Sequence, residues 1–124
     1  MKMRFISLLI IVFFSSMTIH AKERTEEFLV NGKCDMCQER IVMAALSLSG
    51  VTKANWNIDT KIATITFDDS KTELDSIHAS IAKAGHDTKL YKADDEIYEN
   101  LLACCKYDRN KLVAPAKPNR HIHK

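Results

Sequence analysis

Residues 27–50 read EFLVNGKCDMCQERIVMAALSLSG, and this stretch predicts how the chain begins to fold. Three consecutive apolar residues stop at Asn31-Gly32, which is typical of a short strand over 27–30. From Met36 to Leu48 apolar residues recur at helical spacing, and Gly50 stands where such a helix would stop. The stretch therefore predicts a strand, a loop with two cysteines, and a helix.

The same change of hydrophobic period recurs downstream. Residues 51–58 and 63–67 alternate apolar and polar side chains, which predicts a β-hairpin. A second helix is predicted over 74–84, ended by Gly85, and a last short strand over 88–92. The order β-α-β-β-α-β predicts an α+β, ferredoxin-like sandwich, in which two helices cover one face of a four-stranded antiparallel sheet.

The composition is that of one small globular domain. The chain has 124 residues, of which 46% are hydrophobic and 27% are charged, with three glycines and two prolines. These counts argue against collagen-like and mostly disordered chains. Two of the 18 basic residues, Lys2 and Arg4, lie in an N-terminal leader. The rest of the chain has 16 basic and 16 acidic residues, so its formal net charge is close to zero. A neutral domain lacks the basic surface that nucleic acid requires, so we expect no nucleic-acid partner.

Residues 1–21 have the features of a secretory signal peptide. Two basic residues precede an apolar run from Phe5 to Phe14, and Ala21 stands at a suitable cleavage position. The run is about half of the ~20 residues that a membrane-spanning helix needs. We therefore expect a mature chain that begins near Lys22 and is periplasmic or otherwise extracytoplasmic. Only an uncleaved leader would contact a membrane.

Two segments follow the predicted domain at 22–92. Three acidic residues at 94–96 predict the start of a short helix in a C-terminal extension, 93–108, which carries a pair of cysteines. Residues 109–124 are basic and contain both prolines, which predicts a flexible tail. His121 and His123 could add ligands from this tail, but two tail histidines are more often incidental.

The clearest chemical signal is Gly32-Lys33-Cys34-Asp35-Met36-Cys37, where the loop enters the first predicted helix. Unpaired N–H groups at a helix start lower the pKa of a thiol and favour the thiolate, and Lys33 acts in the same direction. Two thiolates at this spacing can converge on one soft cation. Soft sulfur ligands select Cu(I) first, with Hg(II) or Zn(II) as alternatives.

The chain resembles the heavy-metal-associated domain over roughly residues 25–92. The resemblance lies in this loop, in the helix that follows it and contains Arg40-Ile41, in the hairpin and in the turn at 83–87. That family includes copper chaperones, N-terminal regions of metal-pumping ATPases and periplasmic mercury-binding proteins. The resemblance implies a ferredoxin-like fold and one soft metal ion bound by Cys34 and Cys37. It also implies transfer of the ion by ligand exchange to an envelope metal transporter or another metal-binding domain. The chain would act as a monomer or as a metal-bridged dimer.

Gly32 departs from the family pattern, which usually has methionine two residues before the first cysteine. Because that methionine packs under the loop, its absence here predicts a more mobile loop.

Three further residues are candidate accessory ligands. His86 lies in a turn that the resemblance places beside the cysteine loop, where its imidazole would bind or shield the metal. The alternative is a solvated turn histidine. Cys104 and Cys105 are adjacent, and adjacent cysteines rarely bond to each other without backbone strain. The sequence leaves three roles open for this pair: accessory metal ligation, a disulfide with the main loop, or plain reduced thiols.

Two other functions are compatible with the cysteines. A thioredoxin-like thiol oxidoreductase also has C-x-x-C at a helix start. Thioredoxin-like folds resemble one another in a cis-proline opposite the dithiol, and here no proline lies between Lys22 and Ala114. A disulfide-stapled interaction module would contain a bridge such as Cys34 to Cys105. Because no nucleotide loop, G-x-S-x-G or H-E-x-x-H motif is present, we expect that the chain is not an enzyme.

Overall fold

The computed structural model of the chain describes residues 22–110. The elements, in chain order, are strand β1 (Glu23–Leu29), helix α1 (Asp35–Leu46), strands β2 (Val51–Trp56) and β3 (Ile62–Asp68), helices α2 (Leu74–Lys83) and α3 (Asp95–Glu99), and a 3-10 turn (Ala103–Cys105). The predicted leader lies outside the described residues, as does the predicted tail beyond residue 110 with His121 and His123. Within the described range, none of the helices has the length and apolar character needed to span a membrane.

The sheet is antiparallel, and β3 is its central strand, between β1 and β2. Alternate residues of β3 are buried on one face, with Ala63 directly opposite both Phe28 of β1 and Trp56 of β2. Ala63 leaves room for these two aromatic side chains because its own side chain is small. The predicted hairpin and the broad α+β class are confirmed.

Both long helices turn their apolar sides inward. In α1 the buried residues are Cys37, Ile41 and Ala45, at the spacing of one helix face. In α2 they include Ile77 and Ile81. The Ser80 hydroxyl of α2 donates a hydrogen bond to the Ala44 carbonyl of α1 at 2.8 Å, so the two helices are also joined directly.

The predicted fourth strand is wrong. Within the described residues the sheet has three strands, and the segment at 88–92 contributes isolated bridge residues rather than a strand, with Thr88 paired to Val30. The reason is local: the Thr88 hydroxyl accepts hydrogen bonds from the N–H groups of Leu90 and Tyr91, at 3.2 and 3.1 Å. Because these bonds curl the chain into a turn, the backbone no longer extends along β1.

The C-terminal extension packs into the core of the domain. Leu101, Cys105 and Tyr107 belong to the same buried cluster as the sheet residues. Leu101 lies against Gly85, where an added Cβ would come within 2.9 Å of the leucine side chain. Gly85 also has φ of 113°, which favours glycine. The extension therefore shares one core with the domain.

Candidate metal centre

The C-x-x-C loop joins β1 to α1. Cys34 is the residue before the first turn of α1 and has an extended backbone, with φ of −144°. Cys37 lies in the first turn and is fully buried, whereas Cys34 is half-buried. The two thiols therefore differ in their access to solvent, although only three positions separate them.

Trp56 packs against the C-x-x-C loop. Its indole N–H donates a hydrogen bond to the Val30 carbonyl at 3.1 Å, and its ring lies under Gly32. A Cβ on Gly32 would come within 2.8 Å of two Trp56 ring atoms, so a larger residue would force the ring or the loop to shift. Gly32 is thus what makes this close approach of the tryptophan ring feasible.

The four cysteines form one connected group of sulfur atoms. The Sγ atom of Cys34 lies 3.4 Å from that of Cys37 and 3.4 Å from that of Cys105. Cys105 in turn lies 3.8 Å from Cys104, measured between the Sγ atoms. Cys34, Cys104 and Cys105 have their sulfur atoms all within 4.8 Å of one another. The structure thus brings the C-terminal pair to the C-x-x-C loop.

These distances fit metal coordination. A disulfide has an S–S distance of about 2.05 Å, and all four cysteines are free thiols. At a metal–sulfur distance of about 2.3 Å, the ligands of a tetrahedral ion lie about 3.8 Å apart and those of a trigonal ion about 4.0 Å apart. The observed separations of three of the sulfur pairs, 3.4 to 3.8 Å, are therefore close to those of bound ligands. Cys37 approaches Cys34 but is not a member of the close-set trio of Cys34, Cys104 and Cys105.

The environment separates the pKa values of the two loop thiols. Burial alone would raise the pKa of Cys34, but the backbone N–H of Cys37 and the Cys105 thiol stabilise its thiolate and lower that pKa to about 7. Burial raises the pKa of Cys37 to about 12. Hydrogen bonding to Cys105 also raises the pKa of Cys104. Of the two loop thiols, Cys34 is thus the one that ionises more readily near neutral pH in the apo protein.

Met36 adds a fifth sulfur that the sequence analysis did not single out. Its thioether sulfur lies 3.7 Å from the Cys104 sulfur, and its side chain is 44% exposed. The residue stands inside the C-x-x-C motif, but nothing in the local pattern indicates that a residue near 104 would face it. The outer end of the sulfur group is therefore formed by Met36 and Cys104, which is also exposed.

His86 lies apart from this group in the described part of the chain. It is fully buried, and its Nδ1 atom is 2.8 Å from the Asn31 carbonyl. Its ring stacks on that of Tyr107 at 5.5 Å between centroids. The alternative of a solvated turn histidine is therefore wrong, and the candidate role as a metal ligand finds no support in the geometry: within residues 22–110, the close-set group of potential ligands contains cysteines alone.

The comparisons with known proteins agree with this arrangement. Residues 27–87 match the family model of the heavy-metal-associated domain. Among solved structures, the chain is similar to the CopZ metallochaperone, with 27% identity and a TM-score of 0.51, over 52% of this chain and 98% of that one. It is similar to oxidized MerP from Ralstonia metallidurans CH34, with 29% identity and a TM-score of 0.52, over 54% of this chain and 94% of that one.

A copper-binding domain from HMA7, a P-type ATPase, is also similar, with 26% identity and a TM-score of 0.51, over 52% of this chain and 89% of that one. A comparison with curated proteins finds no match. The matched residues contain the end of β1, the C-x-x-C loop, both long helices, β2 and β3, whereas Cys104 and Cys105 lie beyond them. Residues 27–87 of this chain belong to the heavy-metal-associated domain family.

Proposed function

We propose that this chain is an exported protein that binds one soft metal ion and hands it to a transporter or to another metal-binding domain. Cu(I) is the preferred ion, with Hg(II) or Zn(II) as alternatives. Cys34 and Cys37 are the primary ligands, and Cys104 and Cys105 complete the site. The family supports metal binding in general; the choice of ion, the additional ligands and the export are specific to this proposal.

One observation carries the proposal: the Cys34 sulfur lies 3.4 Å from both Cys37 and Cys105. A loop cysteine of the family motif thus has a second thiol neighbour from outside the matched domain. Three or four thiolates around one cation account for this convergence of free thiols from two distant segments.

The donor set favours Cu(I). All the candidate ligands are sulfur atoms, and thiolate and thioether sulfur are soft ligands that select Cu(I) among the first-row metals. The thioether of Met36, 3.7 Å from the Cys104 sulfur, strengthens this preference, because Zn(II) is usually bound by thiolate, imidazole or carboxylate. We therefore expect tighter binding of Cu(I) than of Zn(II).

Capture and release follow from the unequal exposure of the ligands. Cys34 is half-buried and ionises near neutral pH, so it offers the first thiolate to an incoming ion. Cys37 loses its proton as its bond to the metal forms, so binding releases protons. In transfer, a thiolate of the recipient forms a new bond to the metal at the exposed Cys104 end, and a bond to one of the chain's own thiolates breaks. The ion thereby passes between proteins without release into water.

Export is proposed from the leader at residues 1–21. Outside the cytoplasm thiols tend to oxidise. A bound metal protects these thiols, because a coordinated thiolate is not free to form a disulfide. Cleavage near Lys22 is tested by N-terminal sequencing of the protein recovered from the cell envelope.

The test of the proposed site is an anaerobic Cu(I) titration of the reduced protein, with stoichiometry read by native mass spectrometry. We expect the wild type to bind Cu(I) tightly and the Cys34→Ser/Cys37→Ser variant to lose this binding. The exposed Met43, about two turns after Met36 on the same helix, provides the control substitution Met43→Leu. Tight binding of Cu(I) by the double serine variant would disprove the assignment.

The two alternative functions predict different results for the same protein. A thiol oxidoreductase would catalyse the reduction of a protein disulfide by a small thiol, which a turbidity assay detects. A disulfide-stapled module would show a Cys34-to-Cys105 bridge by mass spectrometry of the protein isolated under conditions that block thiol exchange. We expect neither result.

A further inference from the structure

Hydrogen bonds that involve no sulfur atom attach the C-terminal segment to the domain. We propose that Asp87, Tyr107 and Arg109 form a clamp that positions Cys104 and Cys105 over the C-x-x-C loop and thereby sets how many thiolates reach the metal. This inference rests on the proposed function, since it concerns how that site is assembled. Asp87 is the last residue of the matched domain, and the other two clamp residues lie beyond it.

Asp87 is the clamp residue that belongs to the matched domain. Its carboxylate is fully buried and accepts two hydrogen bonds from the Arg109 guanidinium, at 2.9 Å from Nε and 2.8 Å from Nη2. It also accepts one from the Ala93 N–H at 2.7 Å. A bidentate pair of this kind fixes both distance and orientation, and it compensates the cost of burying the charge.

Tyr107 attaches the segment to the same turn. Its ring is almost completely buried, and its hydroxyl accepts a hydrogen bond from the Asp87 N–H at 2.9 Å while donating one to the Gly85 carbonyl at 2.7 Å. The hydroxyl thus satisfies two backbone groups of the turn that follows α2. A phenylalanine would keep the ring but leave both groups without this partner.

Arg109 also holds parts of the C-terminal extension together. Its Nη2 donates to the Ala93 carbonyl and its Nη1 to the Asp95 carboxylate, both at 2.7 Å. The guanidinium lies over the Tyr98 ring, 4.5 Å from the ring centre. The side chain is only 16% exposed. Arg109 is therefore a fixed residue of the fold, although the sequence analysis placed it at the start of the flexible tail.

The clamp is directly coupled to the cysteine pair. Tyr107 is two residues from Cys105, and its N–H donates to the Cys105 carbonyl at 2.9 Å. The same carbonyl faces the Cys37 thiol at 3.8 Å between sulfur and oxygen. A displacement of Tyr107 therefore moves Cys105 relative to both loop sulfurs. Residues that orient metal ligands in this way typically change metal affinity by about 10- to 100-fold when replaced.

The experiment measures Cu(I) affinity by competition with a chromophoric Cu(I) chelator under anaerobic, reducing conditions. Because removal of the Arg109 side chain would leave Asp87 buried without its partner, we choose the milder substitutions Arg109→Lys and Tyr107→Phe. Each is made in the wild type and in the Cys104→Ser/Cys105→Ser background. Lys106→Ala is the matched control, since Lys106 lies in the same segment and its side chain forms an exposed ion pair with Glu99 at 3.4 Å.

We expect each clamp substitution to lower the Cu(I) affinity of the wild type by about 10-fold or more. The same substitution should change nothing further once Cys104 and Cys105 are serines, and Lys106→Ala should have no effect. Circular dichroism verifies that the variants are folded. In the apo protein, the clamp substitutions should also speed alkylation of the buried Cys105.

Two results would overturn the clamp. One is an unchanged affinity in both clamp variants; the other is an equal loss of affinity in the background without Cys104 and Cys105, which would reveal a general effect on the fold. Failure of the proposed function would look different, because Cys34→Ser/Cys37→Ser would then bind Cu(I) as tightly as the wild type.

Discussion

Cys34 is the residue at which the two halves of the site meet. Its sulfur contacts Cys37 on one side and Cys105 on the other, each at 3.4 Å. The hydrogen-bond donors around it lower its pKa to about 7, whereas burial raises the pKa of Cys37 to about 12. In the proposed function, the Cys34 thiol starts the capture of a cation, and its neighbours complete the coordination as their protons leave.

Met36 provides a test of metal selectivity at the scale of a single side chain. Replacing its thioether by the hydrocarbon of Met36→Leu keeps the size but removes a soft donor 3.7 Å from Cys104. A weak ligand that contributes about 1 kcal/mol changes an affinity roughly fivefold. We expect a loss of this order for Cu(I) and none for Zn(II), measured by competition with chromophoric chelators.

The control is Met43→Leu, on the same helix and 63% exposed. It should leave both affinities unchanged. Equal losses for Cu(I) and Zn(II) in the Met36→Leu variant would indicate a packing effect rather than a thioether ligand.

The C-x-x-C pair could be predicted from the sequence because its chemistry is encoded in four consecutive residues. The role of Cys104 and Cys105 could not, since it depends on contacts such as that between Arg109 and Asp87, which are 22 positions apart. The sequence did not indicate Met36 as a ligand, because an exposed methionine in the first turn of a helix is common. Local patterns thus indicate the two candidate ligands of the loop and leave the other sulfurs open.

At the scale of elements, two buried histidines join the helix α2 and its following turn to the first strand and its loop. The Nδ1 atom of His78 is 2.8 Å from the Thr88 hydroxyl, and its ring lies 3.8 Å from that of Phe28, between centroids. His86 contacts the Asn31 carbonyl through its own Nδ1. Burial lowers the pKa of each histidine to about 4.

This burial predicts that the apo protein loses stability on acidification. The unfolded chain takes up protons at histidine near pH 6.5, whereas the folded chain does so only near pH 4, so acid favours the unfolded state between these values. Each histidine should lower the free energy of unfolding by about 2 kcal/mol between pH 7 and pH 5. Urea denaturation of the reduced protein at these two pH values measures the effect.

The matched variant is His78→Asn, whose amide can replace Nδ1 but does not titrate. It should remove about half of the decrease in unfolding free energy that the two histidines cause. If the wild type is equally stable at pH 7 and pH 5, or if the NMR signals assigned to His78 and His86 titrate near pH 6.5, the burial of these rings is contradicted.

Hydrophobic period predicted most elements because their side chains alternate or recur with the geometry of strand or helix. The segment at 88–92 shows the limit of this rule. Its composition suits a strand, but the Thr88 hydroxyl bonds to the N–H groups of Leu90 and Tyr91 and turns the chain. A hydrophobic pattern does not reveal where a side chain takes the backbone N–H groups that a strand would otherwise pair with its neighbour.

At the scale of the whole molecule, a family domain and a C-terminal extension share one core and one sulfur group. Leu101 and Tyr107 of the extension are buried with the domain residues, and Cys105 is buried beside Cys37. The extension therefore occupies the neighbourhood of the C-x-x-C loop that a recipient protein would have to approach. Exchange of the ion would begin at the exposed outer end, where Met36 and Cys104 lie.

The number of sulfur neighbours around bound Cu(I), read by X-ray absorption at the copper edge, probes this assembly most directly. For the wild type loaded anaerobically with one ion, we predict three or more sulfur atoms at roughly 2.3 Å. For Cys104→Ser/Cys105→Ser we predict two. Two sulfur atoms in the wild type, with a spectrum identical to that of the variant, would contradict a metal centre built from both segments of the chain.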